Sequence, residues 1–278
     1  MNAKEFYPGV FSRQAGPYRA RVERLMKSGE AMSRFAVMDA VHVRRGMRIL
    51  DLACGPGTIT IPMAREMSGE GEVIGIDLAD GMLEAAHQAA LGKGLPLRFM
   101  KMDMEVLQFP PQTFDAVTCA HGIQFAPNLG RTLREVRRVL KARAAFAASV
   151  PTAPREPSPA EEALTRVLDA RLGEGPLPED SAGTRAIVKD PDRLQSAAVQ
   201  AGLRAVEVER IDGQTSWETP RQFATMSLTW WSYAARTESL SDHVRELIID
   251  EATRAVEEVM GGGSFPVPSS AHLLKAES

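Results

Sequence analysis

The 278-residue sequence contains few cysteines, little net charge and no long apolar run. Two cysteines are too few for the disulfide framework of a small secreted protein, and the lack of a signal-peptide core favours a cytoplasmic location. A net charge of −3 without a basic run argues against a nucleic-acid partner. Because no apolar run reaches the length of a membrane span and no Cys, His, Asp or Glu cluster has metal-ligand spacing, we expect neither membrane insertion nor a metal site.

The first informative feature that is present is a short apolar run followed by a glycine-containing turn, Arg48-Ile-Leu-Asp-Leu-Ala-Cys-Gly-Pro-Gly-Thr58. Its isoleucine and leucines predict a strand that is buried on both faces. Gly55 and Gly57 allow backbone angles and a close ligand approach that a side chain would block. Because open α/β sheets bind nucleotide-like ligands at the carboxyl ends of their strands, the turn predicts such a site.

The turn lacks the third glycine of a dinucleotide-binding fingerprint, and Thr60 stands in its place. Asp51, which precedes the turn, would repel a pyrophosphate in a partly desolvated site. S-adenosylmethionine (SAM) carries an ammonium and a sulfonium group but no phosphate. An acidic turn therefore favours SAM over a dinucleotide.

The pattern acidic-x-x-x-Gly-x-Gly, formed by Asp51, Gly55 and Gly57, resembles the first motif of the class I SAM-dependent methyltransferases. The run Ala120-His-Gly-Ile-Gln-Phe-Ala-Pro-Asn128 resembles the quinone-biosynthesis-type small-molecule methyltransferases in particular. The resemblance implies an α/β fold with a Rossmann-like seven-stranded sheet, six strands parallel and one antiparallel, and helices on both faces. It also implies in-line transfer of the sulfonium methyl group to a small, partly apolar acceptor, with S-adenosylhomocysteine (SAH) as product. We expect a monomer or a homodimer.

The resemblance also implies roles for side chains at the ends of the next two strands. Asp77 would accept hydrogen bonds from the two ribose hydroxyls, Asp103 would accept from the adenine amino group, and Met104 would cover the adenine. A strand-end aspartate taken alone is more often a cap of the following helix. The predicted cofactor-binding set is Tyr18, Asp51, Ala53, Gly55, Gly57, Asp77, Leu78, Met82, Asp103, Met104 and His121.

The order of these elements predicts the domain organisation. Residues 1–45 form a helical segment that in the resembling family covers the cofactor site, where Tyr18 and Arg19 would reach the carboxylate of the methionine moiety. The alternative for most of this segment is a helix packed on the sheet. Residues 46–211 together with 264–278 form the SAM-binding core.

The sequence departs from the resembling family at the turn before the fifth strand. A Lys-Pro-Gly-Gly turn is usual there, whereas this chain has Lys141-Ala-Arg-Ala144. The loss of proline and glycine leaves the conformation of the turn open, but it does not affect the predicted cofactor site.

A helical lid is predicted at residues 212–263, between the sixth and seventh strands, with helices over 219–235 and 240–260. Aromatic residues lie at helical spacing on the first of these helices, and all three tryptophans of the chain fall in the insert. They predict an apolar substrate pocket, although such a stripe fits the packing of the two helices on each other equally well. The predicted pocket residues are Gln124, Trp217, Phe223, Trp230 and Trp231.

His121, just past the fourth strand, is the candidate general base, because an imidazole accepts a proton near neutral pH. The alternative is that His121 bonds to the chain or lines the cofactor pocket. Two further functions stay open because a fold does not decide a function. One is an enzyme of the same fold that catalyses cyclisation or rearrangement, and the other is a non-catalytic module that binds SAM.

Overall fold

The computed structural model describes residues 2–67, 69–156, 158–173, 177–237 and 240–278, apart from the side chain of Trp231. Its strands are β1 (Arg48–Leu52), β2 (Glu72–Asp77), β3 (Leu97–Lys101), β4 (Phe114–Ala120), β5 (Leu140–Thr152), β6 (Arg204–Trp217) and β7 (Phe265–Glu277). They form one sheet of order β3-β2-β1-β4-β5-β7-β6, and β7 runs antiparallel to both of its neighbours. This arrangement of six parallel strands and one antiparallel strand confirms the predicted fold class.

Helices cover both faces of the sheet because its central strands alternate apolar side chains between the two faces. Ile49 belongs to a cluster with residues of α2 and α3, whereas Leu50 belongs to the cluster of α5 and α8 on the other face. The described helices are α1 (Ala3–Lys27), α2 (Met32–Val41), α3 (Thr60–Glu66), α4 (Asp80–Ala90), α5 (Leu129–Val139), α6 (Pro159–Leu172), α7 (Ala182–Val188), α8 (Pro191–Gln200), α9 (Pro220–Ser227), α10 (Trp231–Thr237) and α11 (Asp242–Met260).

Helix α1 is hydrogen-bonded to distant parts of the chain at its start and in its middle. At its start, the amide of Ala3 donates to the carboxylate of Asp180 at 3.2 Å. In the middle, the amide of Gly81 at the start of α4 donates to the hydroxyl of Ser12 at 3.2 Å. A Cβ atom at Gly81 would lie 2.3 Å from the carbonyl oxygen of Ser12. The close approach of α1 to α4 therefore requires glycine at this position.

The region between β6 and β7 differs from the prediction in two respects. The antiparallel strands β6 and β7 are longer than predicted, so residues 212–217 belong to β6 and not to a helical insert. The predicted helix over 219–235 is broken into α9 and α10 at residues 228–230. The hydroxyl of Thr229 donates to the carbonyl of Met226 at 2.5 Å, and such side-chain bonds compete with the helical backbone pattern.

A second hydrophobic core lies between α6, α9, α10, α11 and the adjoining ends of β6 and β7, which together we call the helical subdomain. Trp217 and Phe223 are buried in this core, with ring centroids 4.9 Å apart. Helix α6 was not predicted to take part, because it precedes the other helices by a stretch that includes β6. The aromatic stripe thus packs inside the helical subdomain, which was the alternative reading of its spacing.

The turn before the parallel part of β5 keeps a left-handed conformation without glycine, because Arg143 has a φ of +58°. Its side chain is exposed. A left-handed conformation costs a non-glycine residue about 1–2 kcal/mol. We therefore expect Arg143→Gly to raise the free energy of unfolding by about 1 kcal/mol, measured by urea denaturation.

The matched control is Arg134→Gly, since Arg134 is an exposed arginine inside α5. There a glycine is expected to lower the free energy of unfolding by about 1 kcal/mol. Equal losses of stability in the two variants would contradict the strain at Arg143.

Candidate cofactor-binding cleft and active site

A cleft of about 770 Å³ lies between α1 and the carboxyl ends of β1 to β4. Beneath its floor lie Asp51, which is 1% exposed, and Gly57, which has a φ of +78°. A Cβ atom at Gly57 would lie 3.0 Å from the ring of Phe99. The other predicted cofactor residues line the cleft: Tyr18, Ala53, Gly55, Asp77, Leu78, Met82, Asp103, Met104 and His121.

Asp51 at the end of β1 is a buried carboxylate with two hydroxyl partners. Thr60 donates to it at 2.5 Å and Thr118 donates at 2.9 Å. Burial raises the pKa of Asp51 to about 7, although both hydroxyl bonds act in the opposite direction. Thr60, which stands in place of the third glycine of a dinucleotide fingerprint, therefore serves as a hydrogen-bond donor to Asp51. A cationic group bound nearby would favour the charged form of Asp51.

Asp77 at the end of β2 connects the glycine turn to the start of α4. One carboxylate oxygen accepts from the amide of Gly55 at 2.9 Å, and the other accepts from the amide of Ala79 at 2.8 Å. Burial raises the pKa of Asp77, and these backbone bonds lower it. Each carboxylate oxygen can accept more than one hydrogen bond, so Asp77 retains acceptor capacity on the wall of the cleft.

Asp103 follows β3 and lies at the end of the cleft that α1 closes. The ammonium of Lys4 lies 2.7 Å from a carboxylate oxygen of Asp103 and 2.7 Å from one of Glu105. The pKa of Lys4 is raised because the favourable contacts with these two carboxylates outweigh desolvation. Lys4 thus joins the first turn of α1 to the β3 side of the cleft, which the sequence did not predict.

His121 follows β4 and has a φ of +60°, an uncommon conformation for this residue. Its Nε2 lies 2.6 Å from the hydroxyl of Ser33. Burial, together with the charges of Arg34 and Arg21, holds the pKa of His121 well below its usual range. The imidazole is therefore neutral at pH 7 and retains one nitrogen that can accept a proton.

Arg34 is a buried cation behind Tyr18 at this end of the cleft, and it was not predicted from the sequence. It is 8% exposed, and its Nη2 donates to the hydroxyl of Tyr18 at 2.9 Å. Its charge lowers the pKa of Asp51. Arg19, which was predicted to reach the cofactor with Tyr18, instead pairs with Glu23 at 2.7 Å, because its side chain lies along α1. The sequence feature that could have indicated a buried role for Arg34 is its position as a charged residue in the otherwise largely apolar helix α2.

Four of the five predicted substrate-pocket residues, those whose side chains the structure describes, do not line this cleft. Trp217 and Phe223 lie in the core of the helical subdomain, and Trp230 packs at its edge. Gln124 donates to the carbonyl of His121 at 2.8 Å, so it supports the turn and not the cleft wall. The side chain of Trp231 lies outside the described part of the structure.

The aromatic residues that do line the cleft come from α1 and from the turn after β4. The ring centroid of Phe125 lies 4.7 Å from that of Tyr7 and 5.2 Å from that of Phe11. These rings were not predicted, because nothing in the local sequence shows that α1 lies opposite this turn. Among the described residues, no group of three or more His, Cys, Asp or Glu is arranged to hold a metal ion.

Comparison with known proteins adds to this geometry. The family described as "Methyltransferase domain" matches residues 49–143, from β1 into β5. The ubiquinone/menaquinone biosynthesis C-methyltransferase UbiE of Yersinia enterocolitica is 30% identical over 190 residues, which cover 65% of this chain and 75% of that protein. This chain belongs to the class I SAM-dependent methyltransferases. The predicted relation to the quinone-biosynthesis type is confirmed.

A second curated relative and a solved structure show how much of this class I methyltransferase resembles known proteins. The UbiE protein of Idiomarina loihiensis is 31% identical over 140 residues, which cover 50% of this chain and 56% of that protein. A putative methyltransferase from Bacillus halodurans superposes with a TM-score of 0.56 at 19% identity, covering 88% of this chain and 97% of that one. The chain thus spans little more than half the length of the Idiomarina protein. No described helix is long and apolar enough to cross a membrane.

Proposed function

We propose that this class I methyltransferase transfers the methyl group of SAM to a small, partly apolar organic acceptor. The observation that supports this best is that the ends of three adjacent strands carry Asp77 and Asp103 in the lining of one cleft and Asp51 beneath its floor. The ammonium, the ribose hydroxyls and the adenine amino group of SAM are all hydrogen-bond donors, and carboxylates are acceptors. A phosphate-bearing cofactor would bring negative charge to the same carboxylates.

The residues of the cleft fit SAM along its whole length. Asp77 would hold the ribose, and the apolar side chains of Leu78, Met82 and Met104 would surround the adenine. Arg34 and the hydroxyl of Tyr18 would bind the carboxylate of the methionine moiety, because they form the donor pair next to Asp51. An arginine forms strong hydrogen bonds with a carboxylate.

SAM supplies a methyl group that its sulfonium already activates, so the chain has to align the acceptor and exclude water. Helix α1 performs the exclusion, since Tyr7, Pro8 and Phe11 cover the cleft. The neutral imidazole of His121 would take the acceptor's proton if the acceptor arrives protonated. Ser33 would fix the orientation of the ring through its bond to Nε2.

The proposal also covers the approach of the acceptor, the location of the enzyme and its partners. The acceptor would approach between α1, α2 and the helical subdomain, so that the helices within residues 218–263 serve as a lid over the sheet and its flanking helices, with residues 212–217 belonging to β6. The enzyme would act in the cytoplasm as a monomer or homodimer, without a nucleic-acid partner and without insertion into a membrane.

The proposal is tested by titrating the protein with SAM, SAH and NAD in a calorimeter, followed by incubation with methyl-labelled SAM and a panel of small acceptors that includes quinols. Binding of SAM and SAH but not NAD, with label in a product, would support it. Turnover of a panel compound with SAM unconsumed would instead indicate cyclisation or rearrangement. Absence of SAH binding would overturn the cofactor assignment.

The role of His121 is tested by the variant His121→Asn, because asparagine tolerates the left-handed backbone at this position. If His121 is the base, kcat is expected to fall by about 100-fold, while the dissociation constant for SAH stays within a few-fold of the wild type. Because the pKa of His121 is held well below its usual range, kcat of the wild type should not decrease between pH 8 and pH 6.5 on account of this group.

The comparison variant is Ser33→Ala, which keeps the imidazole and removes its partner. It is expected to lower kcat less than His121→Asn does. An unchanged kcat in His121→Asn would show that the residue only lines the cleft.

A further inference from the structure

Beyond the cofactor cleft, the contact between α1 and the helical subdomain contains an arginine without a carboxylate partner. Arg21 projects from α1, and its Cζ atom lies 4.9 Å from the ring centroid of Trp217 and 5.1 Å from that of Trp230. Cation–π contacts use the charge and the face of the guanidinium, and they leave its N–H donors available. Among the described residues, no carboxylate lies within 4.0 Å of these donors.

The charges around Arg21 do not supply that partner. Burial lowers the pKa of Arg21 to about 10, and the charges of Arg34 and Arg24 lower it further. The charge of Glu161 in α6 raises the pKa of Arg21, but the two side chains do not form an ion pair. Burial raises the pKa of Glu161 itself. Three arginines thus face one half-buried carboxylate, which leaves a local excess of positive charge.

The unpaired polar atoms of this region are mainly donors. Nε of Arg34 and Nε1 of Trp217 and Trp230 are buried, and none has an acceptor among the described residues. A buried donor without a partner destabilises the chain, so a ligand that supplies acceptor oxygens would be stabilised there. A carboxylate brings such oxygens together with a negative charge, and the guanidinium fork binds it through two parallel bonds.

The region adjoins the end of the cleft at which we place the reaction. Both Arg21 and Arg34 lower the pKa of His121, which lines the cleft. Arg34 is also bonded to Tyr18 and acts on Asp51, so it belongs to the cofactor side. Arg21 contacts the tryptophans of the helical subdomain, which is the side from which we propose that the acceptor approaches.

We propose that Arg21 binds a carboxylate of the methyl acceptor, so that the substrate of this enzyme is an organic acid whose apolar part lies against Trp230. The inference rests on the proposed function, because it assigns the acceptor of that same reaction. Arg21 is a binding residue for the acceptor and takes no part in holding the cofactor. A carboxylate at Arg21 would bridge α1 and the helical subdomain once it is bound.

The experiment uses protein saturated with SAH and follows tryptophan fluorescence, because two tryptophans contact the Arg21 side chain. Acetate, benzoate and phenylacetate are titrated at constant ionic strength, and acetamide, benzamide and phenylacetamide serve as their uncharged counterparts. At least one acid is expected to give a saturable change that its amide does not give. In Arg21→Gln its dissociation constant should rise at least tenfold, and Arg21→Lys, which keeps the charge but not the planar fork, should fall between the two.

The matched control is Arg24→Gln, which removes the same charge one turn later on α1. Arg24 also lies near Trp217, at 5.6 Å, but its Nη2 already donates to the carbonyl of Ser216 at 2.8 Å. This variant should bind the acid within twofold of the wild type. An equal loss in both variants would show a general charge effect and overturn the assignment.

Titration of SAH into the same variants separates the two possible sources of the carboxylate. If Arg21 binds the acceptor, Arg21→Gln should bind SAH as the wild type does. Weaker SAH binding in Arg21→Gln would make the cofactor's own carboxylate its occupant and overturn this inference, while the proposed function would stand. The absence of acid binding to SAH-loaded wild type would overturn it too, whereas failure of the wild type to bind SAH would overturn the proposed function itself.

Discussion

Replacing Asp77 by alanine is expected to weaken SAH binding by at least 100-fold. The carboxylate would accept hydrogen bonds from both ribose hydroxyls, and a hydrogen bond to a charged group contributes about 1.5–3 kcal/mol. Two such bonds correspond to at least two factors of ten in the dissociation constant. Asp77 also accepts from the amide of Gly55, so its loss would release the glycine turn as well. Isothermal calorimetry with SAH measures the effect.

The control for this variant is Asp80→Ala, which removes a carboxylate three residues later in the chain. The side chain of Asp80 is 75% exposed and pairs with Lys101 on the surface. An exposed ion pair contributes little, so this variant should bind SAH as the wild type does. If Asp77→Ala also bound SAH normally, the three-aspartate assignment and with it the cofactor assignment would be wrong.

The relative positions of the predicted cofactor residues could be read from the sequence, because these positions depend on short-range patterns. Asp51, Gly55 and Gly57 lie within one strand–turn unit, so their spacing alone fixes their relation to each other. Asp77 and Asp103 end or follow parallel strands, and the carboxyl ends of neighbouring parallel strands meet at one edge of the sheet. The structure accordingly has Asp77 and Asp103 in the lining of one cleft and Asp51 buried beneath its floor.

The surroundings of the predicted pocket residues could not be read from the sequence, because they depend on contacts between distant parts of the chain. Trp217 and Phe223 were predicted to line a substrate pocket, but their packing partners include α6, which precedes β6 in the chain. No local pattern shows that α6 packs there. Arg21 and Arg34 lie in α1 and α2, and their charges act on the pKa of His121 only because of how these helices pack in the folded chain.

Replacing Asp51 by asparagine should act in opposite directions on stability and on SAH binding. Burial raises the pKa of Asp51 from 3.8 to about 7, so the folded chain holds the proton more tightly than the unfolded chain does. The stability of the wild type relative to Asp51→Asn should therefore fall as the pH rises from 4 to 7, and then stay constant. One pKa unit corresponds to about 1.4 kcal/mol, so the difference in the free energy of unfolding reaches about 4 kcal/mol above pH 7.

Binding of SAH should respond in the opposite direction, because the ammonium of the ligand favours the charged carboxylate. Between pH 6 and pH 8 the ionised fraction of Asp51 in the free protein rises from about a tenth to about nine tenths, so the affinity of the wild type for SAH should rise by nearly tenfold. Asp51→Asn should bind SAH about 100-fold more weakly at pH 8, since one partner of a buried charge pair is gone, and should show no such pH dependence. Urea denaturation of the ligand-free proteins and calorimetry with SAH at both pH values measure the two effects. A variant that gained stability and kept its affinity would show that Asp51 is buried for a reason other than the cofactor, whereas the combination of gained stability and lost affinity would show that the chain retains a costly buried carboxylate in order to bind SAM.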